Sequence, residues 1–165
     1  MTETTLDIEQ TIRKYIPQIV HMSLATASNN APWVCEVHFA FDDKLNLYFR
    51  SLPSRRHSQE IAANPSVAGN IITQHFQEQT VRGVYFEGTA EKLADETATT
   101  EAFGYFRERF GMPDSILEET KQAMQADRDD IGWFYKITVD KFYVFDGYKS
   151  KPAQKYELTW NGGDR

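Results

Sequence analysis

The chain has 165 residues, 41% hydrophobic, 13% aromatic and 25% charged, a balance that builds a packed core and excludes disorder as the main state. Its formal charge of −6 argues against a nucleic-acid partner, since phosphate-binding surfaces are basic, and leaves a small molecule as the expected ligand. One domain over residues 1–165 is expected, in the cytoplasm and not in a membrane: no run reaches the roughly 18 apolar residues of a span, and MTETTLDIEQ lacks the basic and apolar segments of a secretory leader.

Ile8, Ile12, Tyr15, Ile16 and Ile19 recur at spacings of three and four, the apolar stripe of a short helix over residues 5–17 that Pro17 closes. From residue 21 the pattern changes to β-branched and aromatic runs over 22–28, 33–41 and 45–51. These are separated by Asn29-Asn30-Ala31-Pro32 and Asp42-Asp43-Lys44, and read as two successive hairpins. A helix over 54–63 ends at Asn64-Pro65, because the residue before proline is pushed out of the α region. Strands follow at 66–73 and 81–93, then helices at 95–110 and 116–126, broken by Gly111-Met112-Pro113-Asp114. Beyond a solvated acidic loop at 127–130, segments 132–140, 141–147 and 154–160 read as three more strands. Seven or eight short strands with helices between them predict a mainly β fold, an antiparallel barrel carrying helices at its ends.

Chemistry concentrates in Tyr48-Phe49-Arg50-Ser51-Leu52-Pro53-Ser54-Arg55-Arg56-His57, where an apolar strand runs into serines, arginines and a histidine at a helix start. Unpaired amides at a helix N-terminus and forked guanidinium donors suit a phosphate. The same spacing also fits a plain helix start, with Ser54 as cap and the arginines solvated. Arginines in a first turn, however, oppose the helix dipole. No histidine pair has helical metal-ligand spacing, so no metal is expected. The single cysteine, Cys35, reads as a small core residue with no histidine partner in its local sequence, and His38 as a partly buried strand histidine. Trp33, Trp133 and Trp160 fit core, interface or ligand-stacking roles alike. Dinucleotide, P-loop and hydrolase-elbow motifs are all missing.

Four segments in order resemble the pyridoxamine 5′-phosphate oxidase-like family of FMN-binding split barrels. They are Met22-Ser23-Leu24-Ala25-Thr26; the stretch from Phe49 through Ser54-Arg55-Arg56 to Asn64-Pro65; Arg82-Gly83-Val84-Tyr85-Phe86-Glu87-Gly88; and residues 133–147, similar to the family's closing hairpin. The resemblance implies a split β-barrel homodimer with FMN in a groove between subunits, and the deazaflavin coenzyme or haem as alternative ligands. By position, Phe49, Arg50, Ser51, Ser54, Arg55 and Arg56 would surround the cofactor phosphate. Val37, His38 and Phe39 would line the ring edge, and Gly83, Phe145 and Lys155 would supply further contacts. His57 joins the phosphate set on local grounds. Tyr105 and Arg109, four apart on one helix, fall where the oxidase binds its anionic substrate; packing for the tyrosine and solvent for the arginine is the competing reading. Cys35 and Ala40 stand where the oxidase has an arginine and a lysine, and Lys151 and Ala153 replace its C-terminal arginine and histidine. The resemblance therefore implies an FMN-dependent oxidoreductase on a small substrate, other than the oxidase itself, or a non-catalytic flavin, deazaflavin or haem carrier in the same groove.

Overall fold

Seven strands form one antiparallel sheet among the described residues, and the sheet closes on itself. The structure, a computed structural model, describes residues 2–73, 82–146 and 155–163, without the side chains of residues 2–7 and 146. The strands are β1 (His21–Ser28), β2 (Ala31–Phe41), β3 (Leu47–Ser51), β4 (Ser66–Ile72), β5 (Arg82–Lys92), β6 (Trp133–Asp146) and β7 (Lys155–Thr159). They lie in the order β3-β2-β1-β4-β5-β6-β7, and β6 also pairs with β3, so six strands make a closed split barrel with β7 added along β6. No helix among the described residues is long and apolar enough to cross a membrane.

The first two hairpins form where the turn chemistry puts them. Asn29 and Asn30 take φ of 51° and 60°, the pair of left-handed conformations that a two-residue hairpin needs and asparagine tolerates. Ala31 and Pro32 already belong to β2. The ending of the chain differs from the sequence expectation: 132–140 and 141–147 are not two strands of a hairpin but one 14-residue strand; Gly147 lies outside the described residues. What suggested a turn at Val139-Asp140-Lys141 is a register shift. Glu87 pairs with Lys141 and Gly88 with Val139, leaving Asp140 as the extra residue. A Cβ on Gly88 would stand 2.1 Å from the Thr138 carbonyl oxygen, so only glycine lets the two strands approach here. The bulge lets β6 serve β3 with one half and β7 with the other.

The barrel interior is apolar, built from Met22, Leu24, Phe39, Phe49, Tyr135 and Phe142, with Phe49 stacked on Tyr135 at 4.8 Å. Helix α1 (Thr2–Tyr15) closes one end. Its stripe of Ile8, Ile12, Tyr15 and Ile16, continued by Ile19, is buried in that core, as the spacing implied. The Tyr15 hydroxyl donates to the Arg82 carbonyl at 2.7 Å and accepts from the Thr73 amide at 3.2 Å. The stripe is thus used within the chain and is not available to a second copy. A second apolar layer covers the outside of the barrel. Ala40, Tyr48 and Phe134 meet Ala102, Phe103 and Phe106 of α3 (Glu96–Phe110), with α4 (Asp114–Gln125) packed alongside. α3 is capped by Asp95, which accepts from the Ala98 amide at 2.9 Å, and it ends at Gly111 in the left-handed region, φ 65°. α4 starts at Asp114, two residues earlier than its periodicity suggests. The short α2 (Arg56–Ala63) links β3 to β4 and sets the ends of β2, β3 and α3 around a common opening.

Candidate functional site

The chain leaves β3 at Ser51 and turns through Leu52–Arg55, where the Arg55 amide bonds the Leu52 carbonyl at 3.1 Å. Arg55, in extended conformation, is the residue before α2, and no side chain caps the helix; Ser54 does not take that role. The first turn carries no acidic residue. Its free amides and the positive end of the helix dipole therefore have no partner from the helix's own side chains.

Three arginines gather at this point. Arg50 lies half-buried against Phe134, its guanidinium 5.9 Å from the ring centre, in space left by Gly132; a Cβ there would come within 2.8 Å of the guanidinium carbon. Arg50 Nε is buried without a hydrogen-bond partner, and burial draws the arginine's pKa below its ordinary value. A buried unpaired donor of this kind is costly unless a ligand completes it. Arg56 stacks on Trp33 at 4.4 Å and donates from Nε to Glu60 at 2.8 Å. The buried Glu60 carboxylate also accepts from Thr26 Oγ1 at 2.5 Å, which lowers its pKa. Glu60 and Trp33 thus fix the arginine from two sides.

These groups open on a cleft of about 740 Å³. Its floor holds a short hydrogen-bonded chain: His57 Nε2 lies 2.8 Å from Ser51 Oγ, and His57 Nδ1 lies 3.3 Å from Cys35 Sγ. Burial, and then the charge of Arg55, lowers the His57 pKa, so the ring is neutral at neutral pH. Burial first, then Glu36 and Glu60, raises that of Cys35, which stays a thiol. Phe106, Phe110 and Met112 add an apolar part to the lining. His38 sits at the cleft edge with its ring 4.2 Å from His21, its strand partner, and 5.8 Å from Phe110. Basic donors together with apolar rings in one lining suit a ligand with an anionic tail and a flat aromatic or aliphatic body.

Of the residues singled out from sequence, Val37, His38, Arg50, Ser51, Arg55, Arg56 and His57 line this cleft. Phe39 and Phe49 do not. They are cross-strand partners sealed inside the barrel, because the alternation that puts Val37 at the opening carries Phe39 deeper on the same face. Ser54 is exposed on the turn and is not part of the lining. Gly83, Phe145 and Lys155 form one row across β5, β6 and β7, paired in register, away from the cleft of their own chain. Lys151 and Ala153 lie outside the described residues. Tyr105 packs on Tyr48 at 5.0 Å outside the cleft. Arg109 is neither solvated nor turned to the cleft: its guanidinium donates to the Ile16, Pro17 and Ile19 carbonyls that end the α1 segment, and lies about 5 Å from the rings of Phe39, Phe41 and Phe110. Trp33, open among core, interface and ligand-stacking roles, lines the cleft, while nothing local in the sequence pointed to Glu36, Phe106, Phe110 and Met112 as lining residues, nor to the Cys35–His57 contact. The only local signal for the latter was that each lies in or beside a segment already marked.

Residues 8–145 match the model of the pyridoxamine 5′-phosphate oxidase family. A UPF0306 protein of Photorhabdus laumondii is 29% identical over 67% of this chain and 76% of its own length. A UPF0306 protein of Yersinia enterocolitica is 27% identical, with the match spanning 58% of its length. Among solved structures, the haem storage protein of Vibrio cholerae superposes with a TM-score of 0.67 at 16% identity, over 86% of this chain and 98% of that one. A putative pyridoxamine 5′-phosphate oxidase of Listeria innocua gives 0.60 at 16% identity, over 83% and 97%. These last two likenesses establish the fold.

Proposed function

We propose that this chain, which belongs to the pyridoxamine 5′-phosphate oxidase family, binds FMN in the cleft between β2, β3, α2 and α3 and acts as an oxidoreductase on a small substrate. The observation that carries this reading is the convergence of Arg50, Ser51, Arg55, Arg56 and the uncapped start of α2 on one opening, with Arg50 Nε buried and unpartnered. A dianionic phosphate fits that donor set, and the cleft volume falls within the roughly 300–1,000 Å³ of cofactor sites.

In this reading Arg50, Arg55 and Arg56 neutralise the phosphate, while Ser51 and the first amides of α2 fix it in place. Val37 and His38 run along the ring edge, and Phe106, Phe110 and Met112 exclude water from the cleft. Bound FMN supplies the two-electron redox chemistry, so the protein's own task is orientation and desolvation, and no acid–base pair is required of it. A second copy completes the groove. Gly83, Phe145 and Lys155 cannot reach the cleft of their own chain, and the first half of β2 is an open edge exposing Trp33 and Val34 at 40% and 59%. The protein works as a homodimer in the cytoplasm.

The second reading is a carrier of flavin, deazaflavin or haem. The ring of His38, at the cleft edge, and that of His21, 4.2 Å from it, would offer imidazole nitrogens to a haem iron. Two spectra separate the readings. A flavin spectrum on the purified protein that NADH or NADPH bleaches, with oxidised substrate or acceptor restoring it, establishes the oxidoreductase. A Soret band on adding haem, together with no FMN uptake, replaces it with the haem carrier.

A further inference from the structure

We propose that Cys35 and His57 are positioning residues that aim the Ser51 hydroxyl proton into the cleft as a donor to a bound phosphate. The proposal rests on the reading of the cleft as a phosphate site. It assigns the thiol a part that neither its sequence context nor the family match suggests.

The reasoning is a count of protons. A neutral imidazole has one N–H and one acceptor nitrogen, and His57 has a neighbour at each: Cys35 Sγ at 3.3 Å from Nδ1 and Ser51 Oγ at 2.8 Å from Nε2. Only two arrangements satisfy both contacts. In the first, the thiol donates to Nδ1 and the ring proton sits on Nε2, which donates to Ser51 Oγ. The serine's own proton is then unspent and can point into the cleft. In the second, the ring proton sits on Nδ1, and Ser51 spends its proton on Nε2. The serine then offers an incoming anion only lone pairs, which repel it.

The lengths of the thiol's two contacts select the first. The Cys35 thiol is held protonated by burial and by the neighbouring Glu36 and Glu60 carboxylates, so it has a proton to give. The other acceptor in its reach, the Leu24 carbonyl, lies at 3.9 Å against 3.3 Å for Nδ1. The result is a donor chain running from β2 through α2 to the end of β3, three elements whose residues are 22 and 6 positions apart in sequence. The chain delivers a neutral donor among three cations. It adds direction to a site whose charge alone would hold an anion loosely oriented.

The test combines His57 tautomer assignment by nitrogen-15 NMR, on the ligand-free protein and on its FMN complex, with FMN titrations of the wild type and four variants. The expected tautomer is Nε2–H in both states. Cys35→Ala should weaken FMN binding about five- to tenfold and Ser51→Ala similarly. Cys35→Ser, which restores a donor, should return to within about twofold of wild type, and the double variant Cys35→Ala/Ser51→Ala should be no weaker than Ser51→Ala alone, because both act through one hydroxyl. An Nδ1–H tautomer in the ligand-free protein overturns the proposal whether or not FMN binds. So do multiplying effects in the double variant, or a Cys35→Ser chain as weak as Cys35→Ala. Wild-type protein that shows the Nε2–H tautomer yet takes up no FMN overturns instead the phosphate reading beneath it, and with it the task given to Ser51.

Discussion

A methyl group at position 132 would stand 2.8 Å from the Arg50 guanidinium carbon, so Gly132→Ala must move the arginine out of its niche over Phe134. The displaced group is the flexible end of a side chain, and the fold should tolerate it. FMN affinity should fall about tenfold, while the melting temperature moves by no more than a few degrees. Equal affinity in calorimetric titration would remove Arg50 from the site. Two other residues set the acid limit of the fold in separate windows. His57 has a folded pKa below its ordinary 6.5, so its contribution is complete above pH 6.5 and is lost as pH falls through the folded value. Glu60, lowered from 4.5 chiefly by the Thr26 hydroxyl and then by Arg56, contributes fully above pH 4.5 and loses it further down. Denaturant unfolding across pH 3–7 should show both declines. His57→Gln should flatten the upper one and Glu60→Gln the lower; a profile unchanged by either substitution would contradict the burial and bonding assigned to that residue.

Arg109 belongs to the fold: by bonding the Ile16, Pro17 and Ile19 carbonyls it ties the end of α3 to the segment that follows α1. Arg109→Ala should therefore lower stability by about 1.5–3 kcal/mol and leave FMN affinity unchanged. Loss of FMN binding in a chain that remains folded would return the residue to the ligand site. Gly88→Ala, placing a Cβ 2.1 Å from a backbone oxygen at the β5–β6 bulge, should cost roughly 3 kcal/mol or more, read as a lower denaturation midpoint. What the sequence showed of these elements follows from the range of the forces involved. The α1 stripe, the Asn29-Asn30 turn and the basic loop after β3 are local patterns and were legible. The division of β6 was misread because a bulge and a turn look alike along one strand, and the difference lies in the partner, where Gly88 meets Thr138. Alternation placed Val37 and Phe39 on one face but could not say how deep the barrel mouth reaches. The contacts of Cys35 with His57 and of Trp33 with Arg56 join residues more than 20 positions apart, and nothing local encodes them.

At the scale of the molecule, the apolar stripe of α1 is spent on its own barrel, so the proposed dimer would have to be built elsewhere. The open edge of β2, with exposed Trp33 and Val34, and the exposed Lys155 at the end of the row Gly83, Phe145 and Lys155 are the surfaces the proposed dimer would use. Sedimentation at micromolar concentration should give about 38 kDa, twice the 19.1 kDa of one chain. A species at 19.1 kDa would leave those three residues without access to any cofactor.

The central claim, a phosphate held at the start of α2 by the arginines that follow β3, is tested most directly by titrating FMN into the ligand-free wild-type protein and into the Arg55→Ala/Arg56→Ala variant, following the quenching of flavin fluorescence. Saturable binding of one FMN per chain is predicted for the wild type, weakened by roughly 2–4 kcal/mol, about thirty- to a thousandfold, in the variant. Equal affinity of the two proteins, or no binding to either at high micromolar FMN, would contradict it.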